Sequence, residues 1–146
     1  PISEVQKNEI SKILKVFGFD LIDDRKSKTI DKIKTVIIDL VQNKNNDLKI
    51  NLSNYLSQEL HQDYNTLSNL FSEVENTTIE KYFINQKIEK VKELIMYDEL
   101  SLSEIAYSLN YSTVSHLSNQ FKKVTGFSPT YFKNIKTIKR KQIEDL

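Results

Sequence analysis

The sequence predicts an all-α protein in which two helix-turn-helix units are joined by one long helix and preceded by a short helix-strand segment. Three observations lead there. The 146 residues include only two Gly and two Pro, too few turn formers for a many-stranded sheet. Apolar residues recur at three- and four-residue spacing along most of the chain, the mark of helices with one buried face. Finally, one block of sequence occurs twice. With 38% hydrophobic and 28% charged residues, the chain is too apolar for disorder and long enough for a modest core.

Taken in order, residues 3–17 read as an amphipathic helix with Val5, Ile10, Ile13, Leu14 and Phe17 on one side, and Gly18 sits where a left-handed C-cap belongs. Phe19-Asp20-Leu21-Ile22 then reads as one short strand. A lone strand cannot satisfy its own edges, so residues 1–28 are expected to be the tail of a sensing or oligomerisation domain lying upstream. From Thr29 the helical pattern is continuous through Ile30, Ile33, Ile37, Leu40 and Val41, until the polar stretch 42–47. A helix with Leu52, Tyr55, Leu56 and Leu60 inward follows, and a break at 61–64 leads to another with Leu67, Leu70, Phe71 and Val74 inward. Thr77 and Glu80 have capping-box spacing, and a long helix runs from there to about Tyr97. Ser101 and Glu104 repeat that spacing before Leu102, Ile105, Ala106 and Leu109. A helix bearing Leu117, Phe121 and Val124 ends at Gly126, and Ser128-Pro129 opens the last one.

The duplication is explicit. Leu67-Ser68-Asn69-Leu70-Phe71 returns fifty residues later as Leu117-Ser118-Asn119-Gln120-Phe121, and the same offset relates Val74 to Val124, Asn76 to Gly126, Thr78 to Ser128 and Tyr82 to Phe132. Each copy is a short helix, a tight break and a second helix with a Leu and a Phe four apart facing inward. That is the helix-turn-helix arrangement, whose second helix enters a major groove while the first braces it; a plain helical hairpin shares the apolar spacing. The units are expected over 29–76 and 99–146, with residues 77–98 as the linking helix. Residues 78–97 as one continuous helix span about 30 Å, close to the roughly 34 Å between successive major-groove faces on one side of DNA.

Charge is unevenly placed. Residues 1–100 carry 14 Lys or Arg against 17 Asp or Glu, and residues 101–146 carry 7 against 3. Attraction for a polyanion is therefore concentrated near the C-terminus. Two glycines cannot build a phosphate-cradling loop, and without cysteine or paired histidines no familiar nucleophile or metal constellation forms, so neither an enzyme nor a cofactor is expected. No apolar run is long enough to span a bilayer, which fits a cytoplasmic setting.

Residues Ile105-Ala106, Leu109-Asn110-Tyr111-Ser112, Leu117-Ser118-Asn119-Gln120-Phe121-Lys122-Lys123, Gly126 and Pro129-Thr130-Tyr131-Phe132-Lys133 resemble the second helix-turn-helix of AraC/XylS bacterial transcription regulators. There an Ile-Ala pair, a turn, a Phe-Lys pair, a Gly and a Pro stand at these intervals. The resemblance reaches more loosely back to about residue 33. It implies double-stranded promoter DNA as the partner, RNA polymerase as a candidate second one, and oligomerisation, if any, through a region upstream. It also implies recognition helices over about 64–74 and 113–124. Asn65, Thr66, Ser68 and Asn69 of the first, and Thr113, Ser115, His116 and Asn119 of the second, would face the groove. Lys122, Lys123, Ser128, Lys133 and Lys136 would hold phosphates. Two departures from the family pattern, Asn110 and Asn76 where Gly is usual, fall on a residue that tolerates left-handed backbone.

No arginine stands among those groove-facing positions, so the commonest bidentate reader of guanine is missing. Asparagine pairs through its amide with N6 and N7 of adenine, and Asn65, Asn69 and Asn119 therefore suit an A·T-rich operator; the alternative is solvated helix surface. Asp63, Glu73 and Glu75 flank the first recognition helix, so the second unit is expected to supply more of the affinity. Lys136, Lys139, Arg140 and Lys141 either track the DNA backbone or belong to a solvated terminal helix. The rival to a DNA-binding function is a protein-interaction module that reuses the fold.

Overall fold

The computed structural model describes residues 3–43 and 51–144, and of residues 16–21 the backbone alone. Seven helices and no strand make up its regular structure among those residues. Helix α1 (Glu4–Gln42) starts at Ser3, whose hydroxyl accepts the Gln6 N–H while the Gln6 side chain accepts that of Ser3. This reciprocal capping box satisfies two donors that a helix start leaves unpaired. The expected stop at Gly18 and the strand at 19–22 are not found: α1 runs through both. A glycine inside a helix costs only about 1 kcal/mol, whereas a strand here would leave its backbone groups without a sheet to pair with. The predicted break after Gln42 is present, and residues 44–47 of the polar stretch lie outside the described residues.

Local signals set the remaining boundaries. Helix α2 (Leu52–Leu60) is capped by Asn51, which accepts the Asn54 N–H at 2.9 Å, and stops at His61 in the left-handed region with φ 54°. Helix α3 (Tyr64–Glu75) stops at Asn76, also left-handed with φ 55°. Helix α4 (Ile79–Tyr97) is capped by Thr78, which accepts the Lys81 N–H. Thr77 is therefore not the cap, and Glu80 instead accepts the Tyr64 hydroxyl. Helix α5 (Leu102–Ser108) has the expected Ser101–Glu104 capping box. The turn beyond it contains Asn110 at φ 64°. Helix α6 (Val114–Thr125) ends on Gly126 at φ 85°, and α7 (Pro129–Glu144) follows Ser128.

Two apolar clusters form along α4. Ile30, Ile33 and Ile37 of α1 meet Leu56, Leu67, Phe71 and Ile79 in the first. The second gathers Ile88, Val91 and Ile95 of α4 with Ile105, Ala106, Leu109, Tyr111, Leu117 and Phe121. Val41 near the end of α1 joins this second cluster, and Lys90 donates to Gln42 at 3.0 Å. The α1–α4 pair thus ties both clusters together. Residues 4–15 of α1 take no part: Val5, Ile10, Ile13 and Leu14, read with Phe17 as one apolar side, are exposed, and the Phe17 side chain lies outside the described residues. No helix among the described residues is long and apolar enough to cross a membrane.

The duplication extends to three dimensions. From 64 to 82, every position except Thr77 matches its counterpart fifty residues later in being buried, half-buried or exposed. Phe71 meets Tyr82 edge-on at 5.6 Å, and Phe121 meets Phe132 the same way at 5.8 Å. In each copy this pair locks the second helix of the unit to the helix after it.

Candidate nucleic-acid interface

The surface of interest is built by α3 and α6. Leu67 and Phe71 on α3, and Leu117 and Phe121 on α6, are fully buried. At 3.6 residues per turn, anchoring those positions turns Asn65, Thr66 and Asn69, and equally Ser115, His116 and Asn119, to solvent; all six are exposed. The two helices therefore present the same register positions outward.

The other two groove candidates have local duties. Thr113 caps α6 by accepting the His116 N–H at 3.0 Å, which leaves its hydroxyl proton for an acceptor outside. Ser68 is half-buried and bonds to the phenol of Tyr64. Burial and the Glu80 carboxylate together push that phenol well above the usual tyrosine range. Ser68 thus belongs to a latch between α3 and α4. The His116 ring is also held, packed edge-on against Tyr111 at 5.1 Å with Nδ1 3.4 Å from the Ser112 hydroxyl. Nε2, on the far ring edge, is the atom left to meet a ligand.

Among the phosphate candidates, Lys122 and Lys123 are exposed in the last turn of α6. There their charge also opposes the negative end of the helix dipole. Ser128 caps α7, accepting the Tyr131 N–H at 3.1 Å. Lys133 and Lys136 lie apart from these: Lys133 pairs with Asp98 at 3.3 Å, and Lys136 donates to the carbonyls of Ile95 and Met96. Both stabilise the C-terminal end of α4, where carbonyls lack helical partners.

The acidic residues of α3 are neutralised in a way that the sequence did not disclose. Lys26 lies 3.6 Å from Glu73, and Lys34 lies 2.8 Å from Glu75; the Glu75 carboxylate raises the Lys34 pKa. Two of the three carboxylates expected to repel phosphate at the first unit are thus matched by cations from α1. Lys81 was missed as well. It is exposed in the first turn of α4 beside the Thr78 cap, at the position that Tyr131 occupies in the second copy. The fifty-residue offset was the signal that could have found it.

A family model described as "Helix-turn-helix domain" matches residues 56–135. Among solved structures, a DNA-binding transcriptional dual regulator from Escherichia coli K-12 is similar at 22% identity and a TM-score of 0.63, over 75% of this chain and 92% of that one. A transcriptional regulator described as AraC-type from Chromobacterium violaceum is similar at 14% identity and a TM-score of 0.65, over 75% and 93%. The C-terminal domain of the two-component response regulator yesN from Fusobacterium nucleatum is similar at 26% identity and a TM-score of 0.58, over 68% and 96%. No curated protein matches significantly in sequence.

Proposed function

Because the chain belongs to the AraC/XylS helix-turn-helix family, we propose that it is a sequence-specific DNA-binding transcription regulator whose α3 and α6 enter adjacent segments of the major groove. Residues 29–76 and 99–146 act as the two reading units, and residues 77–98 set their spacing. The observation that carries the reading is the shared exposure of positions 65, 66 and 69 on α3 and 115, 116 and 119 on α6, over identically buried Leu and Phe anchors. The 19 residues of α4 measure about 28 Å at 1.5 Å each, compatible with one groove repeat of roughly 34 Å.

In this reading Asn65, Asn69 and Asn119 pair with adenine edges, while Ser115 and the Nε2 of His116 make the more permissive contacts. Phosphates are held by Lys122, Lys123 and the capped start of α7 at Ser128, and in the first unit by Lys81 and the start of α4. Lys133 and Lys136 act indirectly, by fixing α7 on α4. With Glu73 and Glu75 paired to α1, the first unit is a fuller partner in affinity than its acidic sequence implies.

The experiment is a gel shift with A·T-rich promoter fragments against G·C-rich competitors of equal length. Submicromolar binding that only the A·T-rich competitor removes is the expected result. Binding no tighter than about 10⁻⁴ to 10⁻⁶ M on every sequence, the non-specific level, supports a protein-interaction module instead.

A further inference from the structure

The second copy of the repeat carries a pair of exposed aromatic rings where the first has none. At the fifty-residue offset, Phe127 replaces Thr77 and Tyr131 replaces Lys81. Position 77 is also the one between 64 and 82 at which exposure differs between the copies, and there the larger, more apolar Phe127 is the more exposed. The two rings stack at 5.2 Å with 26° between their planes, yet Phe127 stays 48% and Tyr131 50% exposed. Single exposed apolar side chains are ordinary on a protein surface, whereas a joined aromatic patch is the kind of surface that interfaces select.

The pair is held in place. The Thr125 hydroxyl accepts the Phe127 N–H at 3.1 Å and lies 2.8 Å from the Phe121 carbonyl and 3.0 Å from that of Phe127. The Tyr131 N–H is fixed on the Ser128 hydroxyl. Where Thr125 stands the first copy has Glu75, paired with Lys34 of α1, so the clamp belongs to the second copy. Lys122 and Lys123 close α6 just before the rings, and Ser128 stands between them in sequence; all three are assigned to phosphates above. A nucleic-acid backbone alternates charged phosphates with apolar sugar faces, and tyrosine offers an apolar ring with a hydroxyl at its tip. No described residue takes the Tyr131 hydroxyl. We infer, on the DNA-binding reading, that Phe127 and Tyr131 form a shelf for the DNA backbone, the rings packing on deoxyribose and the Tyr131 hydroxyl donating to a phosphate oxygen. The two units then grip by different means, the first through the charge of Lys81 and the second through ring contact.

Binding of the full chain to a duplex selected from random DNA, followed by fluorescence anisotropy across a salt series, tests the shelf. Phe127→Thr restores the first copy's residue and should weaken binding by about tenfold, with the salt slope and thermal unfolding unchanged. Tyr131→Lys should steepen the slope of log K against log salt by about 0.9, the value of one further neutralised phosphate. Tyr131→Phe keeps the ring stack and should abolish interference by phosphate ethylation at one position, leaving the rest of the pattern intact. Wild-type affinity, slope and ethylation pattern in all three variants would overturn the shelf while the DNA reading stands, and would leave the rings to a protein partner. Failure of the wild type to bind any duplex above the non-specific level would remove the DNA reading and the shelf with it.

Discussion

The ammonium of Lys87 lies 4.0 Å from the centre of the Tyr111 ring. The interaction joins α4 to the turn before α6, and the Tyr111 hydroxyl continues it by donating to Gln120 on α6 at 2.6 Å. Phe83 adds a second ring, 5.3 Å from the same nitrogen. Lys87 is 8% exposed, and burial pushes its pKa down to about 8 while the ring faces attract its charged form. The angle at which the long helix holds α6 thus depends on a buried cation.

The pH dependence of stability is expected to carry that signature. Between about 8 and the ordinary lysine value of 10.5, the unfolded chain binds more protons at Lys87 than the folded one does. Stability therefore rises with pH across this window, and the gain is lost as pH falls through 8. Tyr64 and Tyr111, raised above 10.0 chiefly by burial, act in the opposite sense once unfolded tyrosines ionise near pH 10. Thermal unfolding at pH 8 and at about pH 9.5 should show the wild type gaining stability relative to Lys87→Met. Parallel profiles would rule out Lys87 as the source of the pH dependence.

At the ends of α3 and α6 the two copies solve one backbone problem with different residues. Gly126 adopts φ 85° with open space where a Cβ would stand, and Asn76 adopts φ 55°. Gly126→Ala should cost about 1 kcal/mol through left-handed strain alone. Asn76→Gly should be neutral or stabilising by a few tenths of a kcal/mol. Chemical denaturation measures both, and a Gly126→Ala protein as stable as wild type would contradict the assignment.

Salt titration separates the lysines. Replacing Lys122 and Lys123 together with Ala should reduce the dependence of log K on log salt by about two, one for each phosphate no longer neutralised. Lys136→Ala should lower the unfolding temperature with the slope unchanged, since its ammonium is committed to the end of α4. Equal slopes for Lys122→Ala/Lys123→Ala and wild type would reject the phosphate assignment.

Asn119 is the sharpest test of base reading. Asn119→Ala should cost about 1–3 kcal/mol on the preferred site and relax discrimination at one base pair only. A uniform loss across all sequences would mean that Asn119 touches the DNA backbone instead.

The repeat made most of this fold legible, because a fifty-residue offset fixes caps, turns and buried positions together. Asn110 and Asn76 adopt the left-handed backbone expected where the family has Gly. Ser101, where the sequence places a capping box, caps α5 by accepting the Glu104 N–H. What stayed hidden needed tertiary information. Gly18 read as a stop because propensity is local, whereas its cost is small beside the bonds of a 39-residue helix. Pairing of Glu73 and Glu75 with Lys26 and Lys34 depends on how α1 crosses α3, which no periodicity encodes. Lys136 looked free because its acceptors are backbone carbonyls forty residues away.

The central claim, two recognition helices reading one face of the duplex, is tested most directly by missing-base interference footprinting on a site selected from random DNA. Two blocks of interference in successive major grooves, centred about 10 base pairs apart, are expected, and Asn119→Ala should erase interference in one block alone. A single block, or two blocks on opposite faces of the helix, would contradict it.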